Sequence, residues 1–338
     1  MSGPLMMDLV GTAVQADERE MLGHPLVGGV ILFSRNYRAL QQLTSLTADI
    51  RRLRPDILIA VDYEGGRVQR FRDGFTALPA MGQIGRLHDR APQLALQAAH
   101  AVGWLIGTEL GAADIDLPLA PVLDLDHGIS AVIGDRAIHR DPAAVSALAN
   151  ALCRGLRSAG MAATGKHYPG HGAVAADSHE RLPMDERDLP ALEADAAPFA
   201  QLIAGGLESV MMAHVRYPAV DNLPASLSAK WIGERLRKGL GFDGAVLCDD
   251  LSMGGAAVVG DYPDRALAAL AAGCDILPLC NNPAAVGSCL DSLPRLPDRA
   301  AQRRRAALRR RPACTAGRDE RAAALRCLAD AMNTPVER

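Results

Sequence analysis

The stretch "ILIAVD", residues 57–62, is a run of five apolar residues closed by an aspartate. It is too short for a helix, shows no polar–apolar alternation, and lies between Pro55-Asp56 and the Gly65-Gly66 pair. Such a run reads as a strand buried on both faces, the kind found in parallel sheets. Seven further segments share this character: "LMMDLVG" (5–11), "GGVILF" (28–33), "IDLPLAPVLD" (115–124), "MAATGK" (161–166), "SVMMAH" (209–214), "GAVLCD" (244–249) and "CDILPL" (274–279). Most of the intervals carry helical spacing instead: Leu40, Leu43, Leu46, Ile50 and Leu53; Leu94, Ala98, Val102 and Leu105; Val145, Leu148, Leu152 and Leu156; Leu192, Ala196, Phe199 and Ile203. Each set makes one apolar stripe able to cover a sheet. Strand and helix in alternation imply parallel pairing. Eight strands predict an α/β protein of the (β/α)8 TIM-barrel class, one closed barrel rather than an open doubly wound sheet. The interval 11–27 is the weakest helix, and Pro278 predicts a last strand that bulges or ends early, because proline gives no N–H to the ladder.

The 338 residues suffice for a single-domain barrel, and 49% hydrophobic with 22% charged residues is a globular balance. A net charge of −3 gives no electrostatic ground for nucleic-acid or membrane partners. The start "MSGPLMMDLVGTAV" has neither a basic n-region nor a long apolar core, and no later run matches a membrane span, so a cytoplasmic protein is expected. Seven cysteines without a C-x-x-C pair suggest buried free thiols rather than disulfides or a thiolate zinc site. Aromatic residues at 4% argue against a long stacking groove for polymeric sugar or single-stranded nucleic acid. Residues 1–296 are expected to form the catalytic barrel, and 297–338 a basic helical segment packed on it or trailing it. Within that segment "RRRAALRRR" (303–311) reads as a solvated helix surface rather than an anion site, followed by another helix around 319–332.

A barrel gathers its chemistry at the carboxyl ends of its strands. Asp62, Lys166 with His167, His214, and Asp249 with Asp250 all fall there, and closure would bring them round one mouth. The stretch "KHYPGHGAVAADSH" (166–179) has no apolar periodicity and opens a connection much longer than the usual βα loop, as lids often are. His167 and His171 stand four apart, but Pro169, Gly170 and Gly172 oppose the helix that zincin-like spacing needs. A loop-built metal set of His167, His171, Asp177 and His179 stays open. Asp177 and His179 can instead form an acid–base dyad in which the carboxylate stabilises the imidazolium. Asp249 can serve as a nucleophile or as a helix cap, and Asp250, heading "DLSMGG", fits the cap better. No G-x-S-x-G elbow occurs, and Gly65-Gly66 match neither a Walker A loop nor a dinucleotide fingerprint. Arg67 and Arg70 near Asp62 suit hydrogen bonding to sugar hydroxyls or a carboxylate, or a structural ion pair at the mouth.

Taken in order, "VDYEGGRVQRF" (61–71), "IGDRAIHRDP" (133–142), "GKHYPGHGAVAADSH" (165–179), "MMAHVRYP" (211–218) and "GFDGAVLCDDLSMGGA" (241–256) resemble the bacterial β-N-acetylhexosaminidases of glycoside hydrolase family 3. More narrowly, they are similar to the single-domain cytoplasmic enzymes that recycle peptidoglycan in Gram-negative bacteria. The resemblance spans about residues 5–290 and is most specific in the K-H-[FY]-P-G-H-G…D-S-H block. It implies Asp249 as nucleophile, His179 as acid–base residue with Asp177 supporting it, and Asp62, Arg70, Arg136, Lys166 and His167 as ligands of the terminal N-acetylglucosamine. The implied substrate is N-acetylglucosamine β-1,4-linked to 1,6-anhydro-N-acetylmuramic acid, with or without its peptide, cleaved with retention. The implied enzyme works without a metal or organic cofactor, as a monomer, in cell-wall turnover tied to cell shape and division. Alternatives are a phosphorylase using the same residues, since a neutral histidine repels phosphate less than a carboxylate would, and a barrel that binds muropeptides without turnover. Cys248, Tyr63 and Tyr168 stand where the family commonly has serine, glutamine and phenylalanine. As neighbours of the site they are expected to bear on rate and subsite preference rather than on reaction type.

Overall fold

A computed structural model describes residues 3–175, 182–294, 298–311 and 317–334. Its principal strands are β1 (Leu5–Asp8), β2 (Val27–Leu32), β3 (Leu58–Val61), β4 (Leu117–Pro118), β5 (Thr164–Tyr168), β6 (Ser209–Met212), β7 (Ala245–Cys248) and β8 (Leu277–Leu279). Helices lie between them: α1 (Ala16–Gly23), α2 (Leu40–Leu53), α3 (Met81–His88), α4 (Pro92–Ala112), α5 (Pro142–Ser158), α6 (Leu189–Ala204), the helical segment Lys230–Gly239, and α7 (Tyr262–Ala272). The starts of α5, α6 and α7 are written in the sequence: Asp141, Asp188 and Asp261 each accept an N–H of the first turn, and a proline follows at the first or second helical position. Even the weak interval 11–27 yields a helix, α1, because Glu18 turns back to take the Val10 and Gln15 N–H groups.

The strands pair in parallel in two sheets, β8-β1-β2-β3-β4 and β7-β6-β5. Two isolated parallel bridges, Val122 with Lys166 and Leu247 with Ile276, run between them. The fold is TIM-barrel-like α/β. Pro278 sits opposite Met6 in an unshifted ladder, and β8 runs on to Leu279, so the bulge or early end expected from the proline does not occur; the strand is short because it begins only at Leu277.

Strand alternation sorts the core into two layers. Met6, Ile31, Leu58, Ala60, Leu117, Met211 and Leu247 pack together on one face, while Leu5, Met7, Val30, Ile59, Val61, Val210 and Val246 pack against the helices on the other. The tail corrects one expectation. After α8 (Pro283–Ser292), the helix α9 (Arg299–Ala307) delivers Leu308 into the first of these layers, fully buried. Burying a leucine is worth roughly 1.5–3 kcal/mol. Arg303 and Arg311 are exposed, but the arginines between them are not all on a solvated helix face, and Arg305 is buried. Arg304 binds the buried Asp275 carboxylate (2.7 and 3.0 Å), Arg305 donates to the Asp275 carbonyl (2.9 Å), and the Arg310 N–H reaches Asp116 (3.2 Å). Both acids stand just before strands, Asp116 before β4 and Asp275 before β8, so the basic run seals the end of the fold opposite the expected site. A last helix, α10 (Arg318–Asn333), lies against α4. No helix among the described residues is long and apolar enough to cross a membrane.

Candidate active site

Asp62 directly follows β3, and the chain then doubles back in a hairpin of Tyr63–Gly65 against Val68–Gln69. The turn needs its glycines: Gly65 and Gly66 have φ of 93° and 57°, and a Cβ on Gly65 would lie 2.3 Å from the Pro79 carbonyl oxygen. The hairpin returns Arg70 over Asp62, whose Oδ2 accepts from Arg70 Nη2 at 3.0 Å. Lys166, on β5, donates to Asp62 Oδ1 at 2.8 Å and pairs with Glu64 Oε1 at 2.6 Å. A single helical turn, Gly134–Arg136, brings Arg136 onto the same Glu64 through Nε and Nη2, both at 2.9 Å. Burial would raise the Asp62 and Glu64 carboxyls, yet Lys166 beside both, with Arg70 and Arg136, holds them below the usual range. Burial would likewise discharge Lys166, but Asp62 and Glu64 outweigh it and keep the ammonium protonated.

His167 is the next residue of β5. Its Nδ1 meets Asp124 Oδ2 at 2.7 Å, and the other Asp124 oxygen accepts the backbone N–H groups of His167 (3.2 Å) and His171 (2.7 Å). Burial acts to raise the Asp124 carboxyl, but His167 and the His171 N–H hold it at about 2. One fully buried carboxylate therefore orients a site imidazole and the start of the long loop together.

Asp249 and Asp250 follow β7. His214, expected at the mouth, lies beneath them: its Nε2 donates to the Asp250 carbonyl (3.0 Å), which leaves Nδ1 to accept from Ser226 Oγ (2.5 Å). Burial lowers its pKa, favouring the neutral ring. Asp250 caps a turn rather than a helix, taking the Ser252 N–H and hydroxyl, and also the Cys280 N–H after β8. Burial first, with Asp249 adding, pushes the Asp250 carboxyl up to about 6 from 3.8. The folded state then binds the proton more tightly than the unfolded chain, so stability falls as pH rises between these values and the whole cost is present at pH 7. Asn in its place keeps the Oδ1 acceptor for both N–H groups and removes the charge. Asp250→Asn is expected to be more stable than wild type at pH 7, by about 3 kcal/mol at most. The difference in Tm should close as the buffer is taken below pH 4, and a difference constant across pH 4–8 would refute this assignment.

Asp62, Arg70, Arg136, Lys166, His167 and Asp249 line a single cavity of about 540 Å³ with Ile31, Phe33, Leu119, Met211 and Met253. Every strand-end residue of the sequence reading except His214 is thus gathered in one place. Arg67 also lines it, donating to the Ala131 and Val132 carbonyls beside Asp135, as a brace would. Asp177 and His179 lie outside the described residues. Among the described residues no group of three or more His, Cys, Asp or Glu side chains is placed to hold a metal ion. Glu64 and Asp124 are the functional neighbours that sequence reasoning passed over. Asp124 carried the same signal as Asp62, an acid closing an apolar strand segment, and Glu64 stands two residues beyond such an acid.

The three departures from the family pattern point away from the cavity. Tyr63 is fully buried, donating to the Phe71 carbonyl (3.1 Å). Tyr168 packs edge-on against Phe199 and Trp231, and Cys248 sits in the helix-facing core. Their expected influence on rate and subsite preference has no direct route.

Residues 5–305 match the family model described as the glycosyl hydrolase family 3 N terminal domain. The chain belongs to glycosyl hydrolase family 3. It is 52% identical over 297 residues to a β-hexosaminidase of Thioalkalivibrio sulfidiphilus, covering 88% of this chain and 86% of that one. A β-hexosaminidase of Alkalilimnicola ehrlichii is 55% identical over 294 residues, covering 86% and 84%. The crystal structure of NagZ from Neisseria gonorrhoeae superposes with a TM-score of 0.92 at 42% identity, covering 98% of both chains, and the same protein in complex with N-trifluoroacetyl-D-glucosamine gives the same values. The family 3 match reaches through β8 and most of α9, so the clamp of Arg304 and Arg305 on Asp275 falls within it.

Proposed function

We propose that this family 3 glycosyl hydrolase is a retaining exo-β-N-acetylglucosaminidase. It removes the non-reducing terminal, β-1,4-linked N-acetylglucosamine from 1,6-anhydro-muropeptides, with or without peptide, in peptidoglycan recycling. In this reading the two sheets close through their two bridges into one eight-stranded barrel, which carries the catalytic mouth. Asp62, Arg70, Arg136, Lys166 and His167 hold the terminal sugar. A carboxylate oxygen of Asp249 attacks the anomeric carbon as its bond to the departing oxygen breaks, and His179, supported by Asp177, gives that oxygen its proton. The same histidine then takes a proton from water, the water oxygen bonds to the anomeric carbon, and the ester to Asp249 breaks. Two displacements at one carbon leave its configuration as it began. With two carboxylates the catalytic groups of a retaining enzyme sit about 5–5.5 Å apart, a spacing that a histidine on a long loop need not keep. The enzyme acts as a cytoplasmic monomer, needs no metal or organic cofactor, and serves the wall turnover on which cell shape and division depend.

The observation that carries this reading is the convergence of six polar side chains on one cavity in a chain over half identical to β-hexosaminidases. A volume of about 540 Å³ lies in the range of small-molecule sites, and the relative bound to an N-acylated glucosamine points to the same sugar class. The test is to incubate the protein with N-acetylglucosaminyl-β-1,4-1,6-anhydro-N-acetylmuramic acid, with and without inorganic phosphate, and to follow products by mass spectrometry and NMR. N-acetylglucosamine released first as the β-anomer in both conditions is expected. N-acetylglucosamine 1-phosphate would make the enzyme a phosphorylase, and an intact disaccharide would overturn the substrate assignment.

A further inference from the structure

We propose that Glu64 is a positioning residue for the sugar site, setting the spacing of Arg136 and Lys166 without touching the sugar. The proposal rests on the reading of those two cations as sugar ligands.

Glu64 is 4% exposed and is not part of the cavity wall, whereas Arg136 and Lys166 both are. Its Oε1 takes Arg136 Nη2 (2.9 Å) and Lys166 Nζ (2.6 Å), and its Oε2 takes Arg136 Nε (2.9 Å). The two cations come from distant parts of the chain, one from the turn Gly134–Arg136 and the other from β5. Among the described residues Glu64 is the one side chain bound to both. The donor inventory shows what remains for a ligand. Lys166 has three N–H donors, of which Asp62 and Glu64 take two. Arg136 has five, of which Glu64 takes two and the Val132 carbonyl takes one at 3.2 Å. The leftover donors belong to groups that would repel each other if the carboxylate between them were removed. The bidentate fork also fixes the plane of the guanidinium, which a single contact would not. Glu64 thus fixes two donors from behind the wall, so that the sugar finds them already in place.

The test combines Glu64→Gln, Glu64→Asp and Arg136→Met with the double variant Glu64→Gln/Arg136→Met. For each, N-acetylglucosamine affinity is measured by calorimetry, kcat and KM on a nitrophenyl β-N-acetylglucosaminide, and Tm. Glu64→Gln is expected to weaken sugar binding about 10–100-fold, the range for losing hydrogen bonds to charged groups. Glu64→Asp, which keeps the charge but retracts it by one methylene, is expected to fold and to lose about 10-fold. In the Arg136→Met background, Glu64→Gln should cost clearly less than it does alone, because one of the two groups it positions is gone while Lys166 remains. A role in folding alone would lower Tm and the active fraction while leaving Kd and KM at wild-type values, and that result overturns the proposal. Fully additive losses overturn it too. If Glu64→Gln does not fold, Glu64→Asp decides by the same criterion. Wild-type protein that neither binds the sugar nor cleaves the glycoside would instead overturn the site reading, and this proposal with it.

Discussion

Asp249→Ala is expected to lose hydrolysis of an aryl β-N-acetylglucosaminide by roughly 10⁴–10⁶-fold, as removal of a covalent nucleophile does. The loss should fall on kcat/KM with little change in affinity for N-acetylglucosamine, because among the sugar ligands Lys166 is held by Asp62 and Glu64, and Arg136 by Glu64. Tm should change little, since Asp249 lies on the cavity wall while Cys248 and Leu251 carry the packing on either side. Azide supplies a second readout. It fits where the carboxylate was, attacks the anomeric carbon as the aryloxide leaves, and forms one carbon–nitrogen bond, giving the α-glycosyl azide. Restored turnover with that product fixes the face from which Asp249 attacks. Hydrolysis at the wild-type rate would end its assignment as nucleophile.

The other large effect concerns His179. His179→Ala is expected to cost about 10²–10⁴-fold on a disaccharide, whose departing sugar oxygen must be protonated, and far less on glycosides of acidic phenols. For the activated substrates, the second displacement should become limiting, because water is no longer deprotonated, and a burst of phenol should precede the steady rate. A plot of log kcat/KM against leaving-group pKa should be steep for the variant and shallow for wild type. Parallel slopes would move the acid role to another residue. Asp177→Asn should share the sign of this effect, with a smaller size.

Much of this was legible in the chain, and the rest fails to show for an identifiable reason. Asp62, Lys166, His167 and Asp249 could be named because each ends an apolar strand segment, and parallel strands around one axis carry their ends to one face. The pairings of the buried acids that hold the site could not, although Asp124 itself closes a strand segment as Asp62 does. Glu64 meets Arg136 across 72 positions and Asp124 meets His167 across 43, and nothing local marks either pair. His214 shows the converse, for it obeys the strand-end rule and yet turns under Asp250 toward Ser226. In the same way, "RRRAALRRR" reads as a solvated surface from its charge, while Arg304 and Arg305 are partners of Asp275 and its leucine fills the core.

By itself, then, the sequence determined the alternation of strand and helix, the membership in family 3, and the residues offered at the strand ends. Those are properties of periodicity and motif, carried by neighbours along the chain. Only the tertiary structure decided which charge faces which, that Tyr63 and Tyr168 turn from the site, and that the basic tail closes the far end of the fold. Such choices depend on which distant groups meet in a space without water, where an unpartnered charge costs several kcal/mol, and that proximity exists only once the chain is folded.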